Sequence, residues 1–181
     1  MRNFKKTNSR KLAVIILFSA MGAVASVAVG YAANILSFAP LGPIGGQLLA
    51  GLHVFWLILV AGITRSRGAA IIAGALKGTI EMVLPNHIGL FVFLISLLEG
   101  AVIELAFLPF KFTERTVMLI AAGFSSASNV FVLQAFQILP ASLPSSVYVA
   151  MYGASFLSGL VLGGYLGVRS LCIIEKFICK L

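Results

Sequence analysis

The chain has 181 residues, of which 60% are hydrophobic and 10% charged, and its mean hydropathy is +1.09. A soluble domain of this length cannot hide so much apolar surface, whereas a bilayer accepts it. The net charge of +8 would suggest nucleic acid in a soluble protein, but here the basic residues lie between apolar runs and read as topology signals.

The opening MRNFKKTNSRK precedes an apolar run from Leu12 to about Leu36. It resembles the basic n-region of a signal peptide, and AVASVA offers small-residue cleavage sites. The run exceeds a typical h-region, so it is read as the first span. Five more apolar segments follow, and the six spans are placed at 12–35, 46–63, 68–84, 88–108, 116–138 and 146–168. Each spanning helix needs roughly 20 apolar residues, so six occupy the chain as one transmembrane domain, 1–181. Turn material separates them: FAPLGPIGG, TRSRG, PNH, PFKFTER and PASLPSS.

Charge then sets orientation. Arg2, Lys5, Lys6, Arg10 and Lys11 precede the first span; Arg65 and Arg67 follow the second; Lys111 and Arg115 follow the fourth; Arg169, Lys176 and Lys180 follow the sixth. The alternate connections, around 36–45, 85–87 and 139–145, carry no Lys or Arg. The positive-inside rule assigns the basic side to the cytoplasm and requires an even number of spans. The expected fold is therefore an all-α integral membrane protein, six transmembrane helices in one compact bundle with both termini cytoplasmic.

Small residues recur at four-residue spacing: Gly22, Ser26 and Gly30 in the first span, Ala70, Gly74 and Gly78 in the third, and Ser155, Gly159, Gly163 and Gly167 in the sixth. Such faces let backbones approach closely in lipid. Packing within the bundle is the plain reading, and docking of a partner membrane protein on the first helix is the sharper one.

Four ionisable groups fall inside the spans: Lys77, Glu81, Glu99 and Glu104. Each is expensive there and needs a reason. Lys77 and Glu81 are four apart and share a helix face; Glu99 and Glu104 point roughly 140° apart. An internal ion pair of Lys77 with Glu81 or Glu99 would stitch two helices and leave one carboxylate over, which favours a functional role for Glu81 or Glu99. Glu104 looks structural. Polar and aromatic residues gather at the outer ends of the other spans: Gln47, His53 and Trp56; Asn86 and His87; Asn129, Gln134 and Gln137; Tyr148 and Tyr152. Singly, the aromatics read as interface anchors and a lone His as hydrogen-bonded in place. Together with Glu81 they describe an apolar cavity with a few directed polar groups, as small-molecule sites have. The loop FAPLGPIGG, stiffened by Pro40 and Pro43, can lid it.

The chain contains no Asp, no HExxH, no GxSxG and no Walker-type loop, so it carries no catalytic signature and no ATP site of its own. Cys172 and Cys179 lack ligand-like neighbours, so neither a disulfide framework nor a metal site is expected.

The run from GPI at 42–44 to AFL at 106–108, with Gly51, Gly68-Ala69-Ala70, Glu81, Asn86, Gly89, Gly100 and Glu104, resembles the membrane-embedded substrate-binding (S) components of energy-coupling-factor transporters. The similarity is to the YkoE-like branch associated with thiamine and its hydroxymethylpyrimidine precursor. The remaining spans match in length and character. The resemblance implies a vitamin-binding subunit of a prokaryotic plasma membrane, partnered by a transmembrane coupling subunit and by cytoplasmic ATPases that use the ATP. This chain itself would bind no cofactor. It implies Glu81 as the main ligand contact, supported by Gln47, Asn86, Glu99 and an aromatic stack from Trp56, Tyr148 or Tyr152, with His53, His87, Asn129 and Gln134 nearby. It also implies docking of the coupling subunit at Ser19/Ala23 or Gly22/Ser26 on the first helix. The chain departs from that pattern at Gln47, where a carboxylate is usual, at His53, where tryptophan is usual, and at Glu99, where glutamine is usual. The alternatives are an ion-coupled secondary carrier, with Glu99 titrating against Lys77, and a structural subunit of a membrane complex.

Overall fold

The computed structural model describes the backbone of residues 2–38, 42–85, 89–110, 114–139 and 143–178. Among them the chain is helical throughout: α1 Arg2–Phe38, α2 Pro43–Gln47, α3 Gly51–Thr64, α4 Ala69–Val83, α5 Phe91–Phe107, α6 Arg115–Ala135, α7 Ser145–Ser158 and α8 Leu166–Ile178. A π-helical stretch, Gly159–Tyr165, joins α7 to α8. The helices therefore form six rods, because α2 runs into α3 and α7 into α8.

Four rods, Ser9–Phe38, Pro43–Thr64, Arg115–Ala135 and Ser145–Lys176, are long and apolar enough to cross a bilayer. Helices α4 and α5, with 15 and 17 residues, rise only about 22–26 Å at 1.5 Å per residue. Both lie packed among the longer rods. The first and last rods outrun their sequence-based bounds. For the last, the reason is tertiary: Leu171 fills the space above Gly62 of α3, and Glu175 pairs with Arg65, so α8 keeps its partners to the end.

Local chemistry sets the breaks. Arg65 (φ 45°) and Gly68 (φ 81°) both take the left-handed conformation, which turns the chain between α3 and α4 within four residues. Leu84 is extended ahead of Pro85, ending α4, as a residue before proline should be. Between α2 and α3 the backbone bonds run three residues back: Leu48 to Gly45, Leu49 to Gly46 and Ala50 to Gln47.

Side-chain contacts give the direction of each rod. Ser19 Oγ donates to Ala73 O, and Gly22 lies on Trp56. Gly74 meets Ser96 and Gly100, Ser125 Oγ donates to Glu99 O, and Ser126 meets Ser155. Consecutive rods thus alternate up and down. Residues 65–68 and 108–110, Arg115 and the C-terminal helix lie at one end, where Arg65 and Arg115 share a recess with Glu175. The described residues that flank the connections free of Lys and Arg, such as Gly42, Pro85 and Pro144, lie at the other.

The main core joins α1, α3, α4, α5, α6 and α8 around Val54, Leu57, Ile58, Ile103 and Phe107. Outside it, large apolar residues such as Leu17, Val24, Ile35, Leu105, Phe124, Phe131 and Val161 are more than half exposed. A belt of this kind is a liability in water and the natural surface in lipid. The protein is a multi-pass membrane protein.

Candidate functional site

A cavity of about 380 Å³ opens at the end of the bundle whose connections lack basic residues. Helix α1 supplies one wall from Ser26 to Ser37, and Pro43, Gly46 and Gln47 of α2 supply another. The start of α3 adds His53, the end of α4 adds Glu81 and Pro85, and α5 adds Val92, Ile95 and Ser96. Asn129 and Leu133 of α6 and Met151 of α7 close it. Most of this lining is apolar, so a bound molecule would be desolvated and the few polar atoms would orient it.

The polar floor is a ring of three side chains. Lys77 Nζ lies 2.8 Å from Glu81 Oε1 and donates to Ser96 Oγ at 3.0 Å. Ser96 Oγ in turn donates to Glu81 Oε2 at 2.7 Å. Lys77 is completely buried, whereas Glu81 reaches the cavity wall. The helix spacing that put Lys77 and Glu81 on one face therefore yields a real pair, and of the two carboxylates it is Glu81 that holds the lysine. His53 Nδ1 stands 4.0 Å from Glu81 Oε1. Gln47, 7% exposed, and Asn129 present amide oxygens without a hydrogen-bond partner among the described residues. Four sequence-expected residues thus meet at one cavity: Gln47, His53, Glu81 and Asn129.

The others go elsewhere. Glu99 is fully buried but lies beyond the cavity lining, and neither carboxyl oxygen has a hydrogen-bond partner among the described residues. Trp56 turns toward α1, with its ring centroid 6.3 Å from Phe18 and 5.2 Å from Phe55. It is a packing residue there and does not face the cavity. Tyr152 donates to Gln134 at 3.1 Å on the outside of the bundle. With Tyr148, these three also stand apart from the cavity wall. The rings of Trp56, Tyr148 and Tyr152, expected to form an aromatic stack, are thus not among the residues that line this cavity. Asn86 and His87 lie outside the described residues, as do positions 39–41 of the expected lid. Positions 43–46 of that loop belong to the short helix α2.

The residues of α1 expected to dock a partner face inward. Ser19, Gly22, Ala23 and Ser26 are buried inside the chain: Ser19 bonds to α4, Gly22 abuts Trp56, and Ser26 lines the cavity. Small residues on one helix face are chosen by whichever helix comes close, and here α3 and α4 do.

Sequence reasoning missed the contribution of α1 itself, where Tyr31, Asn34 and Ser37 line the cavity. Their recurrence at three-residue spacing in an otherwise apolar run was the available signal. It also missed Ser96, a single hydroxyl that proves to bridge Lys77 and Glu81.

Glu104 has a separate, structural task. Its Oε1 accepts the backbone N–H of Ala70 at 3.0 Å. Gly68 can offer no side chain to cap α4, so a carboxylate from the neighbouring helix satisfies an otherwise orphaned donor at the positive end of the helix dipole.

Comparison with known proteins agrees with this architecture. Residues 10–129 match the family described as "ABC-type cobalt transport system, permease component". The chain is 24% identical over 164 residues to the "Putative HMP/thiamine permease protein YkoE" of Bacillus subtilis (strain 168), covering 90% of this chain and 82% of that protein. It superposes on the crystal structure of an S component of an ECF transporter with a TM-score of 0.83 and 22% identity, covering 93% of this chain and 85% of the other. That likeness shows a shared fold.

Proposed function

The chain belongs to the family of ABC-type cobalt transport system permease components, and from that premise we propose that it is the substrate-binding S component of an energy-coupling-factor transporter, taking up a thiamine-like vitamin or hydroxymethylpyrimidine. The family is one of transport subunits, so the chain is a permease component rather than an enzyme. The carrying observation is the buried Glu81 carboxylate in the wall of an apolar cavity, with His53, Gln47 and Asn129 around it. A carboxylate and two amide oxygens accept hydrogen bonds, which suits a ligand with an exocyclic amine or a positive charge. Among the described residues no three His, Cys, Asp or Glu converge as a metal site would require. An organic molecule therefore fits this cavity better than a bare cobalt ion.

In this reading the cavity faces outward across a prokaryotic plasma membrane, and both termini lie in the cytoplasm. A transmembrane coupling subunit and cytoplasmic ATPases supply the energy, and this chain binds no cofactor. The likeness to YkoE, a putative HMP/thiamine permease, supports the substrate class.

Mass spectrometry of small molecules released from the detergent-purified protein tests it, repeated for Glu81→Gln. A co-purifying thiamine or pyrimidine that is lost in the variant, by at least tenfold, is the expected result. Absence of binding even after thiamine, hydroxymethylpyrimidine and other vitamins are added would overturn the proposal. Uptake that needs an ion gradient and no ATPase subunits would replace it with the secondary carrier.

A further inference from the structure

Two buried carboxyl groups, Glu81 and Glu99, belong to the helix pair that holds Lys77, and of the two Glu81 reaches the cavity. Lys77 is fully buried and bonded to Glu81 and Ser96. Glu99 is equally buried, and both its oxygens are without a hydrogen-bond partner among the described residues. The charges that bear on it are those of Lys77 and Glu81.

The helix seam explains why these groups are neighbours. Helices α4 and α5 pack with glycines in register, since a Cβ on Gly74 would meet Ser96 O at 2.3 Å and one on Gly100 would meet Ala70 O at 2.4 Å. Ser96 and Glu99 both belong to the buried face of α5. At three-residue spacing their Cβ atoms lie about 5–6 Å apart. Lys77 Nζ, 3.0 Å from Ser96 Oγ, thus has Glu99 one helical turn deeper. Its flexible four-carbon stem can reach either side.

We propose that Lys77 occupies the carboxylate of the site in the empty protein, and that Glu99 takes Lys77 over when a cationic ligand engages Glu81. The inference rests on Glu81 being the ligand contact. It adds that the site exchanges one cation for another and keeps a partner for the displaced one. Without Glu99, a ligand cation on Glu81 would leave Lys77 as a buried charge with only a hydroxyl, which is strongly unfavourable. With Glu99, the same event relieves a buried carboxyl that otherwise has no hydrogen-bond partner among the described residues. Glu99 is then a positioning residue that favours positively charged ligands without touching them.

Equilibrium binding of two probes distinguishes this from a purely structural role. Thiamine carries a permanent charge, and hydroxymethylpyrimidine is neutral in mildly alkaline buffer. Glu99→Gln is expected to weaken thiamine binding at least tenfold and to change hydroxymethylpyrimidine binding less than threefold. The double variant Lys77→Met/Glu99→Gln, which removes the displaced cation as well, is expected to bind thiamine more tightly than Glu99→Gln alone. Monodispersity and thermal unfolding of each variant show whether it is folded. Equal losses for the two probes, an unaltered thiamine affinity in Glu99→Gln, or no recovery in a folded double variant would each overturn the exchange while leaving Glu81 as the ligand contact. Wild-type protein that binds neither probe would remove the reading on which the exchange rests.

Discussion

Single side chains in this protein are assigned by what they satisfy. Glu81 answers Lys77 and faces the cavity; Glu104 answers the N-terminus of α4 and is not among the cavity lining. Both are glutamates inside apolar helices, so the residue type alone does not separate them. Their neighbours do. Replacing Glu104 with Ala leaves a buried N–H without a partner and removes a charge-assisted bond, a loss of about 1.5–3 kcal/mol. Glu104→Gln keeps an acceptor and loses less. Thermal unfolding of the two variants in detergent is expected to rank them wild type, Gln, Ala, with ligand affinity changed much less than stability. A Glu104→Ala protein as stable as wild type would show that the cap contributes nothing.

Between elements, close approach decides. Ser158 Oγ accepts the N–H of Gly51 at 2.9 Å and donates to Leu48 O at 2.7 Å. It thereby fastens the turns between α2 and α3 to the start of the π-helical stretch. A Cβ on Gly51 would stand 2.1 Å from Ser158 O, and one on Gly159 would stand 2.4 Å from Ala122 O. Those are backbone atoms, which yield little. Gly153, by contrast, has nothing within 4 Å of a Cβ, and there the better helix propensity of Ala is worth about 0.5–1 kcal/mol. Gly51→Ala is expected to lower the unfolding temperature and to weaken ligand retention, because Gln47 and His53 flank the displaced turn. Gly153→Ala is expected to be neutral or stabilising. Circular dichroism melts of the purified variants check both, and equal stability of Gly51→Ala and wild type would mean that the seam is looser than its geometry.

For the molecule as a whole, six rods place Arg65 and Arg115 at one end and the cavity at the other. If the basic end is cytoplasmic, a cysteine at Arg67 is reached by a membrane-impermeant thiol reagent only after the cells are opened. A cysteine at Ser145, at the start of α7, is reached from outside intact cells. Both tests belong in a background with Cys172 and Cys179 replaced by Ser. Labelling of both sites from the same side would break the even-span topology.

The amino-acid sequence by itself determined the membrane class, the six-rod count and the end of the bundle that holds the polar groups. Those properties follow from hydrophobic runs and from where Lys and Arg are absent, which are one-dimensional facts. It also put Lys77 and Glu81 on one helix face, because residues four apart share a face of any helix. The tertiary structure alone decided which of two carboxylates holds Lys77, since that depends on how α4 and α5 are rotated about their glycine seam. It alone turned Trp56 toward Phe18 and away from the cavity, and it used the small residues of α1 inside the chain. Apolar helices in lipid have no polar face to fix their rotation in advance. Their orientation is set by packing against neighbours, which the order of residues along one helix does not contain.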